Sequence, residues 1–106
     1  MIDAEAVGEV IAQYEKHGWK LRRALLSPEA RNVFVNFDVG VEVIEADLDA
    51  LWFSRQSQPE NEAWELRRLS NMPFALVTVV PTDADSDELE VSLAQIESEM
   101  LERTIA

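Results

Sequence analysis

The stretch that most limits what this chain can become is residues 47–69, which carry two of its three tryptophans. It reads as a β-hairpin. The first arm, residues 47–55, is Asp-Leu-Asp-Ala-Leu-Trp-Phe-Ser-Arg, and the second, residues 63–69, is Ala-Trp-Glu-Leu-Arg-Arg-Leu. Between them residues 56–62 are polar and interrupted by Pro59, which is loop chemistry.

A strand sends successive side chains to opposite faces. Leu48, Ala50, Trp52 and Ser54 therefore share one face, and Asp49, Leu51, Phe53 and Arg55 the other. A loop centred near Pro59 sets Trp52 opposite Leu66, Ser54 opposite Trp64 and Ala50 opposite Arg68. On the reverse face Phe53 meets Glu65, Arg55 meets Ala63 and Asp49 meets Leu69. A one-residue slip would exchange every face. In this register Leu48, Trp52, Trp64 and Leu66 form the core face. The reverse face is mixed, with Leu51, Phe53 and Leu69 among charges. Cover on one side only would leave those three wet, which points to a self-association surface.

The rest of the chain frames the hairpin. Residues 3–17 read as a helix with Asp3 at its N-cap and Val7, Val10, Ile11 and Tyr14 in one stripe. Gly18 is placed for a left-handed cap. Residues 19–26 read as a strand, with Trp19, Leu21, Arg23 and Leu25 on one face and Lys20, Arg22, Ala24 and Leu26 on the other. Ser27-Pro28-Glu29 is a helix start, Ser as cap and Pro in the first turn, which favours a helix over 28–37. The alternation of Val33, Val35, Phe37, Val39, Val41 and Val43 also fits a strand. Residues 38–40 would then turn, and residues 41–45 lead extended into the hairpin.

Residues 70–73, with Asn71 and Pro73, read as a turn. Residues 74–80 are apolar on both faces apart from Thr78, which predicts a covered, central strand. Asp85 and Glu88 make a capping box before a last helix, with Leu89, Leu93, Ile96 and Met100 in one seam and Val91, Ala94 and Leu101 beside it. The seam fits packing on the sheet, or pairing across a dimer. The order is α-β-α-β-β-β-α. It predicts a two-layer α+β domain over residues 1–106, with an about four-stranded mixed or antiparallel sheet and the N- and C-terminal helices on one face.

Composition sets the class. Of 106 residues 47% are apolar, enough for a core. The formal charge is −12, which argues against nucleic acid as a partner. Residues 81–106 hold eight acids and one base, hence −7 of that total. No cysteine occurs, so there are no disulfides, thiolate ligands or thiol nucleophiles. No apolar run approaches a membrane span, and the first residues lack a signal peptide, so a cytoplasmic setting without membrane contact is the expectation.

Chemistry-bearing patterns are few. Asp47 and Asp49, spaced by two, would point to one side of a strand and could help hold a hard cation, but no third ligand is evident. Asp83, Asp85, Asp87 and Glu88 lack the glycine and distal glutamate of a calcium loop and read as a helix start. His17 is the single histidine, in a helix's last turn. No Gly-x-Ser-x-Gly turn or glycine-rich phosphate loop exists. The expectation is therefore no catalytic residues, no metal and no cofactor. Lys20, Arg22 and Arg23 form the densest basic cluster and are expected to pair with acids elsewhere in the fold. Trp52, Arg55, Trp64 and Arg67 are the candidate ligand-binding residues, as a cleft with arginine forks and an aromatic wall for a carboxylate or phosphate.

The leading functional expectation is a non-enzymatic interaction module that self-associates as a homodimer. The acidic last segment gives an alternative, an adaptor or chaperone for a basic protein. A small anionic-ligand binder at the 47–69 hairpin is the third.

Overall fold

The structure, a computed structural model, describes residues 4–33, 41–69 and 74–105. In chain order the elements are α1 (Ala4–Lys16), β1 (Lys20–Leu26), α2 (Pro28–Val33), β2 (Glu42–Glu45), β3 (Ala50–Gln58), β4 (Asn61–Arg68), β5 (Ala75–Pro81) and α3 (Ser86–Ile105). The expected α+β class and element order stand, with one short strand added. The expected Asp3 cap, the helix beyond residue 33, the 38–40 turn and the 70–73 turn lie outside the described residues.

The helix ends follow from local chemistry. Gly18 sits at φ 88°, where a side chain would be strained, and closes α1. The Ser27 hydroxyl accepts the Ala30 N–H at 3.3 Å, as an N-cap does for α2. Asp85 Oδ1 accepts the Glu88 N–H at 2.8 Å at the head of α3.

The five strands form one mixed sheet in the order β2-β1-β3-β4-β5. The β1–β2 pair is parallel and is joined through α2; the other pairs are antiparallel. The hairpin has the expected register: Trp52 opposite Leu66, Ser54 opposite Trp64, Phe53 opposite Glu65 and Arg55 opposite Ala63. Its turn is tighter than the composition implied. The ladder continues through polar residues to Gln58 and resumes at Asn61, with an irregularity between Gln56 and Gln58. Exposed polar side chains suit this far end, because both faces of the ribbon there are wet.

Three features differ from the sequence reading. First, the helices divide between the two faces of the sheet. Leu25, Ala50, Trp52, Trp64 and Leu66 pack with Leu93 and Met100 of α3. Leu21, Ala24, Leu26, Leu51 and Phe53 pack with Val7 and Ala30 of α1 and α2. The reason lies in β3, where five consecutive residues from Ala50 to Ser54 are buried. Consecutive residues alternate faces, so both faces need cover. Leu51 and Phe53 are thus covered within one chain, and they no longer argue for self-association.

Second, β1 carries a bulge between Leu21 and Arg23. Leu21 lies opposite Phe53, yet Arg23 lies opposite Trp52, so the expected Trp19, Leu21, Arg23 and Leu25 face is split. The bulge turns both arginines toward α3. Arg23 pairs with Glu90 of α3 and lies 3.9 Å from Glu42, so within the basic cluster the expected acid partners are found for Arg23. That guanidinium holds the Glu90 carboxyl below the usual carboxylate range. The pair is half-exposed and screened, so it adds little to stability. Arg22 lies over the Trp64 ring, 5.0 Å from its centroid, and donates to the Ser54 hydroxyl at 3.3 Å.

Third, β5 is an edge strand instead of a central one. Its Leu76 and Val80 face α3, but Val77 and Val79 remain 53% and 55% exposed.

Candidate functional site

The four expected site residues do not converge. Trp52 and Trp64 are 0% and 2% exposed beneath α3, their rings edge to face at 6.1 Å. Each indole N–H donates to a carboxylate, Trp52 to Glu97 at 2.8 Å and Trp64 to Glu62 at 2.9 Å. Arg55 lies with Phe53 on the opposite face. Arg67, paired with Leu51, shares that face and donates to the carbonyl of Arg68 at 3.1 Å. The sheet itself therefore separates the aromatic wall from the arginine forks.

Arg55 has a different tryptophan. Its guanidinium lies over the Trp19 ring, 4.6 Å from the centroid, and donates to the carbonyl of His17 at 3.0 Å. A cation suits that position at the negative end of α1. Trp19 meets Tyr14 edge to face at 6.0 Å, and Tyr14 stacks on Phe53 at 4.0 Å with planes 11° apart. The Tyr14 hydroxyl donates to Glu65 Oε2 on β4. Together Gln13, Tyr14, His17, Trp19, Arg55 and Glu65 line an open cleft of about 420 Å³. The sequence reading placed Tyr14 in the α1 stripe and Trp19 on a strand face. Only the packing of α1 on the hairpin's reverse face joins them to Arg55 and Glu65.

Burial is the main cause that pushes the Tyr14 hydroxyl well above its ordinary value near 10; its hydrogen bond to Glu65 and that carboxylate's charge push the same way, while Arg67 pulls against them. The folded state thus holds the phenol proton more tightly than the unfolded chain does. The stabilisation is complete below about pH 10 and declines as pH rises past the unfolded value. Replacing Tyr14 by phenylalanine is expected to lower stability at neutral pH by about 1–2 kcal/mol, because Glu65 loses its donor. The variant should also show a shallower fall in stability at alkaline pH. Urea unfolding of both proteins at neutral pH and above pH 10 checks both points.

Comparison with protein-family models, curated proteins and solved structures finds no match.

The two edges of the sheet differ in chemistry. The β2 edge is four residues long and carries exposed Glu42 and Glu45, which discourages a further strand. The β5 edge is seven residues, Ala-Leu-Val-Thr-Val-Val-Pro, without a charge. Its ladder with β4 shows which groups point outward. The Arg68 N–H donates to Phe74 O at 2.9 Å and the Thr82 N–H to Glu60 O at 2.8 Å. Antiparallel hydrogen-bonded pairs alternate, so residues 74, 76, 78, 80 and 82 turn their backbone groups toward β4. Ala75, Val77 and Val79 then direct N–H and C=O away from the sheet, whereas the Pro81 carbonyl already accepts the Ala84 N–H at 3.1 Å.

The two aspartates considered for a cation lie outside any strand. Asp49 Oδ1 accepts the Ser27 N–H at 2.7 Å, and its carbonyl accepts the Leu69 N–H at 2.8 Å. Asp49 thereby ties the start of α2 to the foot of the hairpin. Among the described residues no helix is long and apolar enough to cross a membrane.

Proposed function

We propose that this chain is a protein-interaction module that self-associates as a homodimer, with β5 of one copy pairing antiparallel to β5 of a second. The observation that supports the reading is the uncharged, apolar edge of β5, whose backbone groups at Ala75, Val77 and Val79 have no strand partner among the described residues. Each copy has a formal charge of −12, so two copies need a neutral contact to approach. Residues 74–82 provide one.

The edge is also complementary to itself. With Thr78 on the two-fold axis, Val77 of one copy meets Val79 of the other, and each valine pair exchanges N–H and C=O. Beyond the valines Ala75 would face Pro81, which has no N–H to give and whose carbonyl already accepts the Ala84 N–H, so the shared ladder ends there. The strand would become central, which suits its apolar sequence. The four valines would form one patch, and cross-strand pairs of β-branched residues contribute roughly 0.2–1 kcal/mol each. The reading takes the cytoplasm as its setting, in keeping with a chain that contains no cysteine.

Sedimentation at high micromolar concentration tests it. The natural chain is expected at twice the monomer mass. A variant with Val77→Lys and Val79→Lys is expected at the monomer mass with an unchanged circular dichroism spectrum, since edge lysines oppose strand addition. A monomeric natural chain, or a dimer untouched by the two lysines, rules the β5 interface out.

A further inference from the structure

The cleft beside α1 holds two opposite charges whose hydrogen-bonding capacity the protein leaves partly unused. Among the described residues Arg55 forms no ion pair, unlike Arg23, Arg31 and Arg103. Arg55 has five N–H donors and directs one of them to the His17 carbonyl. Its guanidinium carbon lies over the Trp19 ring, 4.6 Å from the centroid, and this contact helps hold the fork in place. Glu65 Oε2 accepts from Tyr14, while Oε1 accepts no hydrogen bond among the described residues. Both poles are thus oriented by aromatic partners, and each keeps room for one more bond.

Their spacing follows from the ladder. Phe53 is opposite Glu65 and Arg55 opposite Ala63, so Arg55 and Glu65 are diagonal neighbours on one face. Such positions lie about 7–8 Å apart along the backbone, and these two side chains do not pair directly. A small dipolar ion between them would meet an anion receptor at one end and a cation receptor at the other. The flanking Tyr14 and Trp19 offer apolar ring surface, and about 420 Å³ is small-molecule size.

We infer that this cleft binds a free α-amino acid with an apolar or aromatic side chain, its carboxylate on Arg55 and its ammonium on Glu65. A bare carboxylate would bring a second anion beside Glu65, and a bare amine a second cation beside Arg55. The zwitterion alone satisfies both poles. This inference is independent of pairing through β5, which lies at the sheet's edge, outside the cleft lining.

The test uses L-phenylalanine, phenylacetate and phenethylamine as probes, titrated into the full chain by calorimetry. Trp19 fluorescence serves as a second readout, because Trp52 and Trp64 are buried on the opposite face. Phenylalanine is expected to bind about tenfold tighter or more than either single-charge probe. Arg55→Gln and Glu65→Gln should each weaken phenylalanine by about tenfold or more; the second keeps an oxygen for the Tyr14 hydroxyl, so the fold is retained. No heat and no fluorescence change with phenylalanine at millimolar concentration overturns the inference. So does phenylacetate binding as tightly as phenylalanine, or affinity unchanged in Arg55→Gln. The three-probe comparison on the natural chain decides the matter even where a variant folds poorly.

Discussion

Replacing Trp52 by alanine is expected to destabilise the protein by about 3–5 kcal/mol, the usual cost of deleting a large buried aromatic. Trp52 is 0% exposed, packs edge to face with Trp64, and donates its indole N–H to Glu97 at 2.8 Å. Alanine would open a cavity beneath α3 and leave a half-buried carboxylate without its donor. A domain of this size has roughly 5–15 kcal/mol in total, so the variant would be marginal. Its melting temperature should fall by roughly 15–20 °C. Trp52→Phe separates the two losses, since it keeps most of the volume and removes only the donor; about 1–3 kcal/mol is expected. Urea unfolding with an unchanged m-value and a lower midpoint is the supporting result. A loss under about 1 kcal/mol for the alanine variant would mean that α3 does not cover this face.

Phe53→Ala tests the other side of the sheet. Phe53 is 0% exposed and stacks on Tyr14 of α1 at 4.0 Å. Its loss is again expected to cost about 3–5 kcal/mol, and the Tyr14–Glu65 contact should loosen with it. If both terminal helices lay on the Trp52 face, Phe53 would be wet and the same change would fall within about 0.5 kcal/mol. The two adjacent substitutions, Trp52→Ala and Phe53→Ala, therefore report separately on the two helical layers. A large effect at Trp52 beside a negligible one at Phe53 would reject the division of helices described above.

Several parts of this arrangement were legible from residues alone because they are set by short-range chemistry. Pro59 in a polar run, with apolar alternation on both sides, fixed the hairpin register, and the observed pairs agree with it. Ser27 before Pro28 and Asp85 before Glu88 marked helix starts because a side-chain oxygen must serve the first unpaired N–H groups, and it does. Gly18 marked a left-handed cap that glycine occupies at little cost. The same register also placed Trp52 and Arg55 on opposite faces, so the proposed grouping of Trp52, Trp64, Arg55 and Arg67 conflicted with the alternation that defined the hairpin.

The cleft was less legible. Tyr14 read as one position in an apolar stripe and His17 as a helix-terminal residue. Nothing local to residues 13–19 announces that Glu65 will meet Tyr14, 51 positions away. The bulge in β1 was equally hidden, because Lys20, Leu21, Arg22 and Arg23 alternate plausibly in a regular strand. It takes the fixed partners Phe53 and Trp52 to show that one residue is extra.

By itself the sequence determined the elements other than β2, the hairpin pairing, the caps at Gly18, Ser27 and Asp85 and the strongly acidic balance, since each depends on neighbours within a few residues or on simple counting. The tertiary structure alone decided which face each helix covers, that residues 75–81 lie at an edge, and that Arg55 rests on Trp19 instead of Trp52. These are outcomes of long-range packing: an apolar strand face must be buried, but the pattern along the strand does not say which element, or which molecule, will bury it.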